Sequence, residues 1–351
     1  MRVLVTGGTG YLGCAVVQAL RGASHDVVLY ARTATTTASD LGAVAAVPGR
    51  AASEPARRLV DAQSVAPGSV PSVVTAVDGD VRDAARLTEA ARGCQAIVHL
   101  AALVAVWRRD PREFDAVNVG GLHHVLDAAR TWGMTRVVYV SSFLALAPPP
   151  LERAPAWNDY QRTKASADTL ADAAVAAGAP LVRVYPGVIY GPGRLTEGNL
   201  VGRMISDHLA GRLPGVVGGA RIWSFAYVDD VAAACVAAVE RGRIGQRYLL
   251  GGEDAPQMRV FEIVRALTGR PLPRRLPGWL AAIGAAADEL RATWFGGAPL
   301  LTTGTLEILL RDWPLGCGLA QQDLGYRVTP LADGIRAVVR ERESQPQPTS
   351  A

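Results

Sequence analysis

A tyrosine and a lysine, Tyr160 and Lys164, stand four residues apart in the middle of the chain. On a helix this spacing places both side chains on the same face, one turn apart. A free tyrosine has a pKa of about 10 and is a weak acid or base at neutral pH. A neighbouring ammonium group, together with a cationic cofactor ring, would stabilise the phenolate and lower that pKa. The pair therefore predicts proton transfer by Tyr160, with Lys164 as its electrostatic partner.

Two further polar positions could complete this acid/base group. Ser142 ends an apolar strand and is the predicted donor to a substrate oxygen, while the adjacent Ser141 points to the opposite face and could take that role instead. Asn118, in a helix opening with Asn118-Val119-Gly120, could orient a water that links Lys164 to solvent. A capping or buried structural role for Asn118 fits the sequence equally well.

Near the N-terminus, three glycines lie between a predicted strand and a predicted helix. Gly7 permits a tight turn, Gly10 lets the backbone approach a pyrophosphate, and Gly13 allows close helix packing. The phosphates would sit on N–H groups at the start of the helix. The loop thus predicts a dinucleotide site that also includes Thr9, Tyr11 and Leu12.

The choice of coenzyme depends on the residue after the second strand, where an acidic side chain favours NAD and a basic one NADP. The chain has Arg32 there, whose charge and fork geometry favour NADP. Asp80 and Val81 follow the third strand and are predicted to bracket the adenine, with Asp80 accepting from its amino group. The coenzyme is therefore written NAD(P).

Short β-branched runs alternate with helical stretches, which predicts a Rossmann-type α/β fold, a doubly wound parallel sheet with a smaller C-terminal substrate lobe. The predicted strands are 3–5, 26–30, 73–77, 96–100, 136–140 and 181–185. We expect the NAD(P)-binding domain at 1–185, with an insertion at 33–72 holding a short helix at 54–62, and completed by 225–252. The substrate lobe is expected at 186–224 and 253–342, with a helix at 277–287 and a disordered tail at 343–351. An Ala-rich helix opening at Val228 is expected to pack back against the cofactor domain.

Composition narrows the classes of function. With 351 residues, 49% hydrophobic residues and a net charge of +4 spread along the chain, the sequence predicts a globular protein that does not bind nucleic acid. Four separated cysteines and a strand starting at Val3 argue against disulfides and a secretory signal, so we expect a cytoplasmic protein. No metal site is expected, since His99 reads as a core residue and His123-His124 lack ligand partners. No apolar stretch reaches bilayer length, although weak contact with a membrane surface stays open, as does a homodimer.

These motifs resemble the extended short-chain dehydrogenases/reductases, with the match running from residue 1 to about 335. The motifs are TGGTGYLG (6–13), Gly79-Asp80-Val81, VHLAA (98–102), Asn118-Val119, Ser141-Ser142 and YxxxK (160–164). The stretches VNVGG (117–121), YPGVIYGPGRLT (185–196) and SFAYVDDV (224–231) resemble the dihydroflavonol 4-reductase-like branch, in particular plant NAD-dependent farnesol dehydrogenases.

The resemblance implies a catalytic set of Ser142, Tyr160 and Lys164, with Pro186 and Val188 near the nicotinamide and Leu100, Ala101 and Ala102 along the cofactor. It also implies NAD rather than NADP. Only eighteen positions separate Ser142 from Tyr160, so the loop through Pro148–Pro150 is trimmed and its substrate contacts do not transfer. Apolar candidates for the substrate pocket, each equally able to be core, are Leu103, Trp107, Tyr190, Leu195, Trp223 and Phe225.

The predicted function is reversible alcohol/carbonyl oxidoreduction on a small apolar substrate, isoprenoid or phenolic, by Ser-Tyr-Lys chemistry. A nucleotide-sugar epimerase or dehydratase that retains its coenzyme is one alternative. A non-catalytic coenzyme-binding scaffold is another.

Overall fold

The computed structural model describes residues 1–36 and 72–344. Its strands are β1 Arg2–Thr6, β2 Asp26–Ala31, β3 Val74–Asp78, β4 Ala96–His99, β5 Arg136–Val140, β6 Leu181–Pro186, β7 Val188–Tyr190, β8 Val216–Val217, β9 Ile222–Tyr227, β10 Arg247–Leu250, β11 Glu253–Pro256 and β12 Arg275–Leu276. Seven of them form one sheet in the order β10-β6-β5-β4-β1-β2-β3, and every neighbouring pair is parallel. The predicted doubly wound α/β fold is confirmed.

The helices follow the strands along the chain. They are α1 Tyr11–Gly22, α2 Ala84–Ala90, α3 Arg112–Phe114, α4 Gly120–Thr131, α5 Asp159–Ala176, α6 Leu200–Leu209, α7 Val228–Arg241, α8 Gln257–Thr268, α9 Gly278–Phe295, α10 Thr303–Leu309, α11 Gly318–Leu324 and α12 Leu331–Ser344. A π-helical turn, Asp115–Val119, joins α3 to α4.

The sheet is covered on both faces because its strands are apolar on both sides, as parallel strands usually are. One core unites α1 and α7 with the sheet through residues such as Val16, Leu20 and Cys235. The other core unites α2, α4 and α5 with the opposite face, through Leu87, Val125 and Ala167. The predicted packing of the helix opening at Val228 against the cofactor-binding sheet is confirmed.

A second region is built on the small sheet β11-β9-β7 and the two-stranded pair β12-β8. Its core includes Tyr190, Trp223 and Phe225, and it draws in α6, α8 and α12. Trp313 bridges to Trp223 beside β9, which adds a segment distant in sequence to this core.

Several predicted boundaries differ from the observed ones by one residue; strand β4, for example, ends at His99, not Leu100. The helix expected at 277–287 differs more, because it extends to Phe295. The disordered tail expected from residue 343 is wrong for Glu343 and Ser344, which complete α12. The predicted helix at 54–62 lies outside the described residues.

The carboxyl ends of β1 and β4 meet where the strand order reverses, since β2 lies on one side of β1 and β4 on the other. In open α/β sheets this reversal leaves a crevice that binds ligands. The loops after these strands therefore form the candidate ligand-binding crevice.

Candidate active site

The glycine loop between β1 and α1 is shaped by backbone that cannot carry side chains. Gly7 has φ +71°, and a Cβ placed on it would come within 2.6 Å of the Ala101 backbone nitrogen. A Cβ on Gly13 would come within 2.2 Å of the Gly7 carbonyl oxygen. Both distances are far below van der Waals contact, so only glycine permits this close approach of loop and helix. The loop therefore keeps open the space into which a pyrophosphate would fit.

Helix α1 starts beside this space with no side chain to cap it. Gly10 is the N-cap residue and makes no side-chain hydrogen bond to the first turn. The first N–H groups of a helix have no partner within the helix and favour an anion. Gly10, Thr9 and the first-turn residues Leu12 and Gly13 would thus hold the phosphates of a dinucleotide.

The side chain of Tyr11 points elsewhere. Its hydroxyl lies 3.2 Å from where a Cβ on Gly191 would stand, and it is buried without a hydrogen-bond partner among the described residues. Tyr11 therefore joins the start of α1 to the loop after β7, and only its backbone is placed toward the phosphate position.

The loop after β4 is tied to β1. Leu100 N–H donates to the Thr6 carbonyl at 3.1 Å, and Ala101 N–H lies 3.4 Å from the Thr6 hydroxyl oxygen. Leu100, Ala101 and Ala102 are partly exposed along the crevice. They provide a smooth apolar wall beside the glycine loop.

Two arginines flank a carboxylate at the ends of β2 and β3. Asp80 accepts hydrogen bonds from the Arg82 side chain at 2.7 and 3.0 Å, which lowers the pKa of Asp80 together with the nearby charge of Arg32. Arg32 is exposed, whereas Val81 is buried against Gly121. The ion pair with Arg82 competes with the predicted acceptor role of Asp80 toward adenine.

The predicted acid/base pair lies on α5, whose start is fixed by Asn158 accepting from the Gln161 N–H at 2.8 Å. Lys164 Nζ donates to the Val140 carbonyl at 3.2 Å and lies 6.0 Å from the centre of the Tyr160 ring. It also lies 5.2 Å from the centre of the Tyr139 ring. The ammonium group is therefore buried below Tyr160, at the carboxyl end of β5.

The pKa values of the pair move apart in this environment. Burial raises the pKa of Tyr160 to about 12, opposed by a hydrogen bond from the Ser142 side chain. Burial lowers the pKa of Lys164 to about 8. In the chain by itself, loss of solvent dominates the pKa of Tyr160. The lowering expected from Lys164 together with a cationic nicotinamide stays a prediction.

Ser142 is the serine that reaches the phenol. Besides contacting Tyr160, its Oγ accepts from the Leu144 N–H at 3.2 Å, which caps a short 3₁₀ turn, Phe143–Ala145. Ser141 is also buried. The contact with Tyr160 favours Ser142 over Ser141, whose side chain instead interacts with Tyr139, and the catalytic role of Ser142 stays a prediction.

Pro186 and Val188 stand at the end of β6 and the start of β7, next to β5 in the sheet. Both are buried, and Gly187 between them approaches the Ser224 carbonyl so closely that a Cβ would stand 2.5 Å from its oxygen. Their predicted position near the nicotinamide stays a prediction.

Asn118 ties three segments together from the π-helical turn. Its Oδ1 accepts from the Leu103 N–H at 2.8 Å, and its Nδ2 donates to the Thr163 hydroxyl at 2.9 Å. These bonds favour the structural role over the predicted water-orienting role. Asn118 thus anchors the loop after β4 to the helix that carries Tyr160.

The glycine loop, the crevice and the Ser142/Tyr160/Lys164 group together make up the candidate site. A sequence profile of the NAD dependent epimerase/dehydratase family matches residues 3–251. The chain belongs to this family. The predicted resemblance to extended short-chain dehydrogenases/reductases is confirmed.

Two relatives show the range of this epimerase/dehydratase family. A protein named sterol demethylase protein B from Methylococcus capsulatus is 31% identical over 306 residues, covering 84% of each chain. A putative dihydroflavonol 4-reductase from Synechocystis is 26% identical, covering 95% of this chain and 92% of its own. The family thus includes reductases, as well as the epimerases and dehydratases of its name.

Solved structures share the fold over nearly the whole chain. The crystal structure of gox2253 superposes with a TM-score of 0.74 at 25% identity, covering 97% of both chains. UDP-glucuronic acid 4-epimerase from Bacillus cereus, solved with UDP-glucuronic acid and NAD, superposes with a TM-score of 0.71 at 19% identity, covering 98% of this chain and 99% of its own. NAD binding is a property of the family to which this chain belongs.

The predicted substrate residues separate into two groups. Tyr190 and Trp223 are buried in the second core, where Tyr190 packs edge-on against Phe225 at 6.2 Å, so the structure favours core packing for both. Leu103 and Trp107 are partly exposed on the loop after β4. Leu195, 41% exposed, also borders open space, whereas Phe225 is buried with the first group.

Sequence reasoning missed an aromatic cluster next to the acid/base group. Trp313 packs edge-on against Phe143 at 5.1 Å and Trp157 at 6.3 Å. Phe143 directly follows Ser142, and Trp157 stands three residues before Tyr160. Their closeness in sequence to these site residues could have identified both as candidates. Trp313 carried no such signal, because only the tertiary fold brings it here.

His99 lies beneath the crevice, where its Nδ1 is 2.7 Å from the Thr6 hydroxyl. Burial, reinforced by the charge of Lys164, lowers the pKa of His99 to about 3. The imidazole therefore stays neutral in the sheet at physiological pH. Across residues 1–36 and 72–344, no group of three or more potential metal ligands lies together.

Proposed function

We propose that this protein is an NAD(P)-dependent oxidoreductase that interconverts an alcohol and a carbonyl on a small apolar substrate. The observation that carries the proposal is the placement of Ser142, Tyr160 and Lys164 together at the carboxyl end of β5, beside the crevice at the strand-order reversal. When bound, the nicotinamide supplies or accepts a hydride. The glycine loop fits its diphosphate because no side chain intrudes there.

The residues have distinct roles in the proposed reaction. Ser142 donates a hydrogen bond to the substrate oxygen, and Tyr160 Oη gives its proton to that oxygen in reduction or takes it in oxidation. Lys164 favours the phenolate through its charge. Its pKa of about 8 means that this charge is partly lost above pH 8.

The aromatic cluster supports an apolar substrate. Phe143 and Trp157 are partly exposed next to Ser142 and Tyr160, with the buried Trp313 behind them. Apolar surfaces of this kind bind isoprenoid or phenolic groups better than a sugar nucleotide. A relative named for sterol demethylation is consistent with this class. We assign residues 186–224 and 253–342 to the substrate lobe that contributes Trp313, apart from α11 and Tyr326, which pack in the core with α7.

Substitution Tyr160→Phe tests the mechanism. We expect turnover to fall by about 10³-fold or more, because the ring stays and the hydroxyl that carries the exchangeable proton is removed. The assay follows reduced nicotinamide absorbance with farnesol, dihydroflavonols and hydroxysteroids, each with both coenzymes. Coenzyme affinity, measured separately by calorimetry, should be nearly unchanged.

Tyr326→Phe is the matched control, since this buried hydroxyl lies in the core shared by α7 and α11. It should leave turnover intact. Preserved activity in Tyr160→Phe would reject the mechanism. Substrate conversion without net change in the coenzyme would instead identify an epimerase or dehydratase, and coenzyme binding without any conversion would identify a scaffold.

Arg32 and Arg82 lead us to propose NADP as the preferred coenzyme, against the NAD implied by family resemblance. A guanidinium group beside the 2′-phosphate should favour NADPH over NADH by about tenfold or more in Kd. Arg32→Ala should bring the two Kd values close together, whereas Arg327→Ala, exposed elsewhere, should not. A wild-type ratio near unity would contradict the proposal.

A further inference from the structure

Helix α9 turns its large apolar side chains outward. Ala285 and Ala292, each 2% exposed, form its inward side. At about 100° per residue, Trp279, Ile283, Leu290 and Trp294 fall along one opposite stripe. The exposed fractions are 67% for Trp279, 61% for Ile283, 60% for Leu290, 76% for Trp294, 87% for Phe295 and 93% for Leu300. We call Trp279, Ile283, Leu290 and Trp294, together with the exposed Phe295 and Leu300 at and beyond the C-terminal end of α9, the apolar stripe.

The charged residues of α9 do not interrupt this stripe. Asp288 pairs with Arg291 at 2.7 Å and accepts from the Leu300 N–H at 2.6 Å. Glu289 accepts from the Thr303 N–H at 3.1 Å, which fastens α9 to α10. The helix is therefore held by polar contacts along its sides, and its outward face is left apolar.

Arginines stand at both ends of the stripe. Arg274 and Arg275 precede α9 and are exposed. At the other end, Arg109 shares a cleft of about 500 Å³ with Trp294 and Phe295. In the described part of the chain, none of these three guanidinium groups has a carboxylate partner, so their charge is available to an external anion.

We propose that the apolar stripe docks on an anionic membrane surface. An 18-residue helix is about 27 Å long and can lie in the plane of the interface. Tryptophans near both ends and aliphatic residues between them match the headgroup boundary, and the flanking arginines match anionic lipids. No described helix is both long and apolar enough to cross a bilayer.

Charge favours lipid over a second copy of this chain. In an isologous contact the two helices run either antiparallel, with Arg274 and Arg275 of one copy next to Arg109 of the other, or parallel, with the same arginines of both copies adjacent. Either arrangement places like charges together around the apolar contact. An anionic lipid surface neutralises all three arginines.

Vesicle flotation with the full chain tests the docking. We expect binding to vesicles of phosphatidylcholine with phosphatidylglycerol, and much weaker binding to phosphatidylcholine alone. Ile283→Ser should weaken partitioning about tenfold, because a side chain immersed in lipid is lost. Ile244→Ser is the matched control, since Ile244 is 55% exposed at the end of α7, outside the apolar stripe. Equal binding of the two variants would overturn the proposal.

The charged half of the surface has its own pair of variants. Arg274→Ala combined with Arg275→Ala should weaken binding about thirtyfold, at about fivefold for each charge. Arg327→Ala, exposed elsewhere, should have little effect. Size-exclusion chromatography with light scattering completes the test. A dimer that Ile283→Ser dissociates, together with no vesicle binding by the wild-type chain, would assign the stripe to a second copy and reject the membrane.

Discussion

Helices α1 and α9 both carry regularly spaced large apolar residues. Helix α1 buries the face that carries them, whereas α9 buries the face opposite to them. In α1, Val16, Val17 and Leu20 are fully buried against the sheet. In α9, alanines face inward, while Ile283 and Leu290 face solvent. Apolar periodicity therefore identifies the apolar side of a helix but not what covers it. The apolar side of α1 is covered by the sheet, whereas the apolar side of α9 is exposed to solvent.

The strongest test of this contrast uses the same substitution in both helices. Leu20→Ala removes a fully buried side chain and should lower the free energy of unfolding by about 3 kcal/mol. Leu290→Ala, at an exposed position, should change it by less than about 0.5 kcal/mol. Urea unfolding of both variants measures the difference. Similar losses would mean that α9 is covered in solution.

Glycines provide a second test. Gly13→Ala places a methyl group against the Gly7 carbonyl and should shift α1 away from the loop, weakening coenzyme binding about a hundredfold. Gly284 lies within α9 with nothing near its Cβ position. Gly284→Ala should leave binding unchanged and raise the free energy of unfolding by about 0.5–1 kcal/mol. Unchanged coenzyme affinity of Gly13→Ala, measured by calorimetry, would show that the glycine loop is not part of the coenzyme site.

The last test concerns pH and asks whether the sheet around His99 excludes water. Because the folded pKa of His99 is about 3, the unfolded chain binds a proton that the folded chain does not between pH 3 and about 6.5. Stability should therefore fall with acidification through that window, with a slope from His99 of at most about 1.4 kcal/mol per pH unit. His99→Gln should flatten the slope, and His123→Gln on the surface of α4 should not. Equal slopes in wild type and His99→Gln would show that His99 is solvated.

The sequence allowed prediction of the sheet and of most of the reacting group, for a physical reason. Strands, glycine loop and the Tyr160/Lys164 pair are local patterns, and each is confined to a few residues. The family comparison confirmed the fold, whereas the roles of the site residues stay predictions for the experiments above.

Other features depend on contacts between distant segments. Trp313 reaches Phe143 only after the second region folds, and Tyr160 has a raised pKa only because neighbours exclude water from it. The outward face of α9 was undetectable for a related reason. The amino-acid sequence of α9 resembles that of a core helix. Only the tertiary structure shows that the alanines are the residues that face the protein interior.

Asn118 has a mechanical consequence. The Asn118 amide bonds both the backbone of Leu103 and the hydroxyl of Thr163. It therefore connects the loop after β4 directly to α5, the helix that carries Tyr160. We therefore expect a ligand that displaces this loop to move the neighbouring turn of α5 as well, so that coenzyme binding and the position of the Tyr160 hydroxyl are coupled through Asn118.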